Sequence, residues 1–217
     1  MKTTLPPHKR SQSLGEEIAN SISHGVGAVA ALVGVPLLVL ATARHGSPAN
    51  IVGASVFAAT VVLLYLASTL YHALTHHKAK AVFRVFDHGA IFLLIAGTYT
   101  PFSLGVLHGA WGWTLLAVVW SLAIVGIVLK VVGGAEHPWV STGLYLGMGW
   151  LCVVAVRPIW LHVPPTGLAW LAAGGLAYTA GVAFFAAERM RYSHFVWHLF
   201  VLAGTACHFC AVLWYAA

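Results

Sequence analysis

Long apolar stretches separated by short polar segments repeat along the whole chain of 217 residues. Each stretch holds about 20 residues, the length at which an α-helix crosses the hydrocarbon core of a bilayer. The pattern therefore predicts an all-α, polytopic membrane protein with seven transmembrane helices in one bundle. The predicted spans are residues 22–43, 51–74, 84–107, 111–132, 138–157, 167–187 and 193–216. We expect a single domain over residues 1–217, in which residues 1–15 form a short cytoplasmic N-terminal tail.

The composition supports a membrane protein. Charged residues make up only 7% of the chain and hydrophobic residues 60%, whereas a soluble domain is about one quarter charged. A surface that faces water on all sides is therefore difficult to build from this sequence.

The net charge of +6 indicates membrane topology rather than nucleic acid binding. With the N-terminus in the cytoplasm, only Arg44 and Arg157 of the basic residues fall in outside segments. This excess on one side follows the positive-inside rule, and seven spans then place the C-terminus outside. The basic residues on the cytoplasmic side are Lys2, Lys9, Arg10, Lys78, Lys80, Arg84, Lys130, Arg189 and Arg191.

Small and helix-breaking residues predict how the spans pack. Gly143 and Gly147 have the spacing that lets membrane helices approach closely. Pro101, in the stretch GTYTP, predicts a kink in span three where threonine hydroxyls satisfy the freed backbone. The three cysteines, Cys152, Cys207 and Cys210, are expected to be apolar filling.

Polar side chains at membrane depth are costly and tend to face the protein interior. In the predicted topology, four helix ends bring such side chains to the cytoplasmic side at similar depth. These ends belong to spans one, two, three and seven and carry Glu17, Asn20 and His24; Ser68 and His72; Asp87; and His194 and His198.

These residues suggest a zinc site. His194 and His198, in the stretch SHFVWHLF, lie four residues apart, so both imidazoles face one point, as in the zinc-binding helix of metalloproteases. His72 matches them in depth and side and is the predicted third ligand. Three protein ligands leave a position for water, whose pKa zinc lowers to about 7. Asp87 is predicted to accept the proton or to orient a ligand, and Ser68 to donate to the developing oxyanion.

Other polar side chains have simpler interpretations. Glu17, Asn20 and His24 are expected to form a hydrogen-bonded helix start rather than to bind the metal. His208 lies ten residues after His198 and so about 15 Å deeper, too far to share that metal. It is expected to be a buried, hydrogen-bonded histidine.

Taken together, the motifs resemble those of the hemolysin III family, the bacterial branch of the progestin and adipoQ receptor proteins. The motifs are EEIANSISHG, Ser68 and His72 as SxxxH, Asp87, AGTYTP, and SHxxxH at 193–198. The resemblance implies a seven-helix bundle in the bacterial inner membrane, with zinc near the cytoplasmic face. Matching the motifs implies that His72, His194 and His198 bind the zinc, with Asp87 bonded to its water and Ser68 beside it. The family is similar to alkaline ceramidases, which hydrolyse lipid amides.

Three functions are consistent with these features. The first is a zinc-dependent hydrolase of an amide or ester bond, with a membrane lipid as its substrate. The second is a membrane receptor or sensor whose zinc is structural and supports the fold. The third is a cytolytic pore, which the family name suggests, but a pore needs polar groups through the full membrane thickness and here they cluster at one end. No oligomeric state is predicted.

Overall fold

The computed structural model describes residues 10–133, 138–187 and 189–216, and these residues are almost entirely helical, with no strand among them. The α-helices are α1 (Leu14–His45), α2 (Pro48–Ala73), α3 (His77–Phe102), α4 (Gly109–Val131), α5 (Pro138–Gly149), α6 (Val156–His162), α7 (Pro165–Ala186) and α8 (Ser193–Tyr215). A π-helical segment, Ser103–Leu107, follows α3, and a 3-10 turn, Trp150–Val153, follows α5.

Six of the described helices are each long and apolar enough to cross a membrane, and a bent pair, Trp139–Val153 with Val156–His162, adds a seventh when taken as one span. Large apolar side chains cover the outside of the bundle, including Leu37, Ile124 and Leu176, as lipid contact requires. The predicted all-α, multi-pass membrane fold is therefore confirmed.

The fifth predicted span, residues 138–157, is broken rather than continuous. After α5 comes the 3-10 turn Trp150–Val153, and α6 then departs at an angle of 55°. Pro158 accounts for the break, because it has no N–H to donate to the carbonyl of Val154 and its ring would clash with that carbonyl. It lies instead in the first turn of α6, where helical N–H groups lack partners in any case.

Two helices begin about two turns before their predicted spans. The first and third spans were predicted from residues 22 and 84, but α1 begins at Leu14 and α3 at His77. The apolar pattern marks the part of a helix inside lipid, whereas the end of the helix is set by its cap. Ser13 and Glu16 form a reciprocal capping box at the start of α1. The segment before α1 therefore ends at Ser13, two residues earlier than the predicted tail.

The helices form a ring that α1 and α8 close. α2 packs along both α1 and α3, α3 packs on α4, and α7 pairs with α8. The largest buried core joins α1, α2 and α8 through Leu38, Phe57 and Val212, and a second joins α3 and α4 through Phe92 and Val119. α5 makes only slight contacts with α3, α4 and α7, so this side of the bundle is the least tightly packed.

Helices approach closely at glycines other than those predicted. Gly143 and Gly147 are exposed on α5, and a Cβ there would meet no described atom within 4 Å. The expected close contact at these two residues is therefore wrong. Instead, Gly53 of α2 lies against the backbone of Pro101 in α3, where a Cβ would be 2.6 Å from Pro101 Cα.

Pro101 also marks a change in the backbone ladder. The α-helical pattern of α3 ends at Phe102 and the π-helical segment begins at Ser103. One turn earlier, the hydroxyls of Thr98 and Thr100 donate to the carbonyls of Leu94 and Ala96, each over 2.8 Å. The two hydroxyls therefore bond carbonyls other than that of Gly97, the one that Pro101 leaves without an N–H partner, so they do not satisfy the freed carbonyl as predicted.

We expect Gly53→Ala to lower the free energy of unfolding by about 1–3 kcal/mol, the usual cost of overpacking. The added methyl group would force α2 and α3 apart at Pro101. Gly147→Ala is the matched control, because the same methyl group enters open space and we expect no loss. Thermal denaturation of the purified chain in detergent measures both, and equal melting temperatures would contradict the close contact.

Candidate metal centre

One end of the bundle, where α1, α3 and α8 begin and α2 ends, holds a group of buried polar side chains. We call it the polar end; it is the end that the distribution of Lys and Arg predicts to face the cytoplasm. The buried polar residues here are Glu16, Asn20, Ser23 and His24 of α1, Ser68 and His72 of α2, Asp87 of α3, and Ser193 and His198 of α8, and His194 is half-buried.

Three histidines lie close enough to share one metal ion. His72, His194 and His198 each offer one ring nitrogen, and these three nitrogens lie within 4.8 Å of one another. The ring centroids of His72 are 5.1 Å from those of both His194 and His198, which are themselves 4.6 Å apart. The i, i+4 spacing in α8 brings its two rings together, and the end of α2 supplies the third.

The ring of His72 is held by a carboxylate. Its Nδ1 lies 2.7 Å from Glu17 Oε2, and a carboxylate can only accept, so Nδ1 carries the hydrogen and Nε2 a lone pair. That Nε2 is buried and has no hydrogen-bond partner among the described residues. A metal-binding histidine usually donates the N–H of its other ring nitrogen, the one that does not bind the metal, to a carboxylate or a carbonyl. Lys80 Nζ, 2.9 Å from Glu17 Oε1, holds the carboxylate in turn.

The ring of His198 is held by the backbone of α1. Its Nδ1 lies 3.2 Å from the carbonyl oxygen of Asn20 and 3.0 Å from Ser23 Oγ. The Ser23 hydroxyl already donates to the same carbonyl over 2.8 Å, so both of its partners can accept from Nδ1–H. As in His72, the lone pair is then on Nε2. The donor set therefore fits a metal ion: two imidazoles have supported Nδ1 atoms and Nε2 atoms left for coordination.

His24 stacks on His198. The two ring centroids are 3.5 Å apart with an interplanar angle of 6°, and His24 also meets Tyr65 edge-on. Both nitrogens of His24 are buried without a hydrogen-bond partner in the described ranges. His24 supports the ring of His198 by contact, and it is not one of the three clustered ligands.

Asp87 and Ser68 lie together beside the histidine cluster. The Asp87 carboxylate is buried close to Ser68 and His72, and it is 4.0 Å from His88 Nε2. Ser68 Oγ is buried and has no well-formed hydrogen bond within the part of the chain that the structure describes. The carboxylate therefore faces the same space as the histidines, and the Ser68 hydroxyl is buried beside that carboxylate.

Glu16 was not singled out from the sequence, although it belongs to the same acidic pair as Glu17. It is 3% exposed and accepts from the backbone N–H groups of Ser13 and Tyr192, each over 2.8 Å, and it pairs with Arg10. Tyr192 has a left-handed backbone, with φ of 58°, and immediately precedes α8. Glu16 therefore ties the start of α1 to the start of α8. The only sequence signal was the capping spacing from Ser13.

A cavity of about 1140 Å³ begins at the polar end and continues into the bundle. Asp87, His72, His194 and His198 line its beginning. Further in, the walls are mainly apolar and come from α3 to α8; they include Leu94, Phe102, Leu115, Ile159, Val163 and Leu171. Two glycines in the wall, Gly149 and Gly175, have no described atom within 4 Å of where a Cβ would lie. His208 also lines this cavity, apart from the clustered histidines.

Comparison with known proteins shows which proteins this chain is similar to. A family model described as Haemolysin-III related matches residues 12–209. The chain is 44% identical over 207 residues to Hemolysin-3 of Bacillus cereus, covering 95% of this chain and 94% of that protein. It is 43% identical over 203 residues to the Hemolysin-3 homolog of Bacillus subtilis (strain 168), covering 94% and 95%. The human Monocyte to macrophage differentiation factor is 28% identical over 207 residues, covering 91% and 83%.

We expect Glu17→Gln to weaken binding of a divalent metal ion by about 10–100-fold, the usual effect of removing a carboxylate behind a histidine ligand. The control is Lys80→Gln, which removes the other partner of Glu17 but leaves its carboxylate on His72. Competition with a chelator of known affinity measures both variants. An unchanged metal affinity in Glu17→Gln would show that the Glu17 carboxylate does not strengthen metal binding through His72.

Proposed function

Because the chain belongs to the hemolysin III family, we propose that it is a membrane-embedded hydrolase that cleaves an amide or ester bond of a lipid at a zinc ion. The family predicted from the sequence motifs is confirmed. Its bacterial members and the six to seven apolar helices fit a multi-pass protein of a bacterial membrane. The observation that carries the proposal is the cavity that joins the three histidines to an apolar interior.

The ligands support zinc as the metal. Imidazole nitrogens suit zinc, and three protein ligands with an open position are typical of catalytic rather than structural zinc. His72, His194 and His198 would hold the ion, with Glu17 fixing the orientation of His72. Bound zinc supplies Lewis acidity, which polarises a carbonyl oxygen and makes water more acidic.

Asp87 and Ser68 supply the proton transfer and the hydrogen bond that hydrolysis needs. Asp87 takes a proton from water as the water oxygen bonds to the carbonyl carbon, and it returns that proton to the leaving nitrogen or oxygen as the old bond breaks. Ser68 Oγ, buried beside Asp87, donates to the carbonyl oxygen as negative charge develops there. Water is consumed, and the products are an acid and an amine or alcohol.

A lipid substrate follows from the shape and lining of the cavity. The polar end provides the charged and hydrogen-bonding groups, whereas the deeper walls are mainly apolar. A hydrocarbon chain buried against those walls is stabilised by about 25 cal/mol for each Å² of apolar surface removed from water. The bond to be cleaved then lies at the histidines while the chain extends toward the other end of the bundle.

We expect Asp87→Asn to reduce lipid hydrolysis by about 10²–10⁴-fold, because the amide cannot exchange the proton. Ser68→Ala should cost about 10²-fold through the lost hydrogen bond to the oxyanion. Ser21→Ala is the matched control, because the hydroxyl of this serine of α1 already donates to the carbonyl of Thr69. The assay measures products released from a bacterial lipid extract, with zinc content determined in parallel. Full activity in Asp87→Asn with normal zinc would contradict the proposed role.

A receptor with structural zinc is the second candidate, because the histidines join α2 to α8, which are distant in the chain. The hydrolase proposal predicts that a chelator abolishes turnover but lowers the melting temperature only slightly. The reason is that Glu17, Asn20 and Ser23 already hold two of the rings without the ion. Thermal melting with and without chelator measures this. A collapse of the fold on chelation would favour structural zinc instead.

A further inference from the structure

His208 places a polar side chain in the apolar part of the cavity. It belongs to α8, is 8% exposed and lines the cavity together with residues of α7. Its Nε2 lies 3.3 Å from the carbonyl oxygen of Leu171, and its ring packs against Gly174, where a Cβ would clash with it. The side chain is therefore fixed between α7 and α8.

The contact with Leu171 determines the tautomer of His208. A carbonyl oxygen only accepts, so Nε2 carries the hydrogen. A charged imidazole is costly at this depth in a membrane, so the ring is neutral and Nδ1 holds a lone pair that accepts. That Nδ1 is buried and has no hydrogen-bond partner among the residues that the structure describes.

Nearby polar groups in the cavity wall already have partners. The hydroxyl of Tyr178 is 2.8 Å from Thr205 Oγ1, and the hydroxyl of Thr179 donates to the carbonyl of Gly175 over 2.7 Å. A buried acceptor without a donor is costly. Among the described residues that line this part of the cavity, His208 Nδ1 is the buried side-chain atom without a hydrogen-bond partner.

We propose that His208 Nδ1 accepts a hydrogen bond from a hydroxyl group carried partway along the hydrocarbon chain of the ligand. The ligand class is thus a hydroxylated long-chain amphiphile. His208 lies about 15 Å from His198 along α8, half the hydrocarbon thickness of a bilayer. The placing of the ligand's head group at the histidine cluster rests on the proposed function, whereas the hydrogen bond at His208 does not.

The proposal specifies a donor. A keto or ether oxygen in the chain can only accept and would face the lone pair of Nδ1, so neither satisfies it. A hydroxyl donates to Nδ1 without any change in the ring or in its bond to Leu171. The need for a donor therefore distinguishes a hydroxylated chain from a keto or ether chain of equal length and nearly equal polarity.

The test compares ricinoleic acid, oleic acid, which has the same chain without the hydroxyl, and the methyl ether of ricinoleic acid. Each displaces a fluorescent fatty acid from the full-length, metal-loaded protein in lipid nanodiscs. We expect ricinoleic acid to bind about five- to tenfold more tightly than oleic acid, the effect of one net buried hydrogen bond. The methyl ether should bind no better than oleic acid, because it has no hydrogen to donate.

Substitutions assign the preference to His208. His208→Leu should bind ricinoleic and oleic acid equally, whereas His208→Gln, which keeps an acceptor oxygen, should retain most of the preference. Tyr178→Phe is the control, because its hydroxyl is already paired with Thr205, and it should leave the preference unchanged. If His208→Leu does not fold, the methyl ether measured on the unaltered protein decides the question.

Equal affinity for all three acids would overturn the inference and leave a buried water as the partner of Nδ1. A preference that persists in His208→Leu would overturn it as well. The outcome is separate from hydrolysis: cleavage without any preference for a hydroxylated chain refutes only the role of His208. A His208-dependent preference without cleavage refutes only the proposed hydrolase.

Discussion

A polar side chain inside a membrane has no water to bond, so it must find its partners within the protein. The histidine cluster obeys this constraint through α1. Glu17 accepts from His72, and the Asn20 carbonyl with Ser23 takes the Nδ1–H of His198. These bonds fix both rings with Nε2 directed away from α1. The orientation of both rings depends on these bonds, although α1 contributes none of the three clustered nitrogens.

The same helix also sets the position of α8. Glu16, buried at the start of α1, holds the backbone N–H of Tyr192 just before α8 begins. About two turns further along α1, His24 stacks flat on His198. α1 thus supports α8 at two levels while α2 and α3 bring His72, Ser68 and Asp87. Glu16, Glu17 and His24 line the cavity together with the clustered histidines, so polar groups lie at one end of it and mainly apolar walls at the other.

The sequence was sufficient for the helical membrane fold and for the meeting of four helix ends, because both follow from hydrophobic length and from i, i+4 spacing. It could not predict which faces of two helices touch, since that depends on rotation about each helix axis. Gly143 and Gly147 had the right spacing but face outward, whereas Gly53 meets Pro101. The stacking of His24 on His198 and the hydrogen bond from Tyr192 to Glu16 depend on the same rotations. The break before Pro158 was readable in principle, but the apolar run concealed it.

The two glycines in the cavity wall, Gly149 and Gly175, lie where added side-chain atoms would enter the cavity without striking a neighbour. A larger residue at either position would shorten or narrow the space for a hydrocarbon tail and leave the histidines undisturbed. For the proposed lipid hydrolase, the acyl length that fits would then change through single substitutions in α5 or α7, while the three histidines stay as they are.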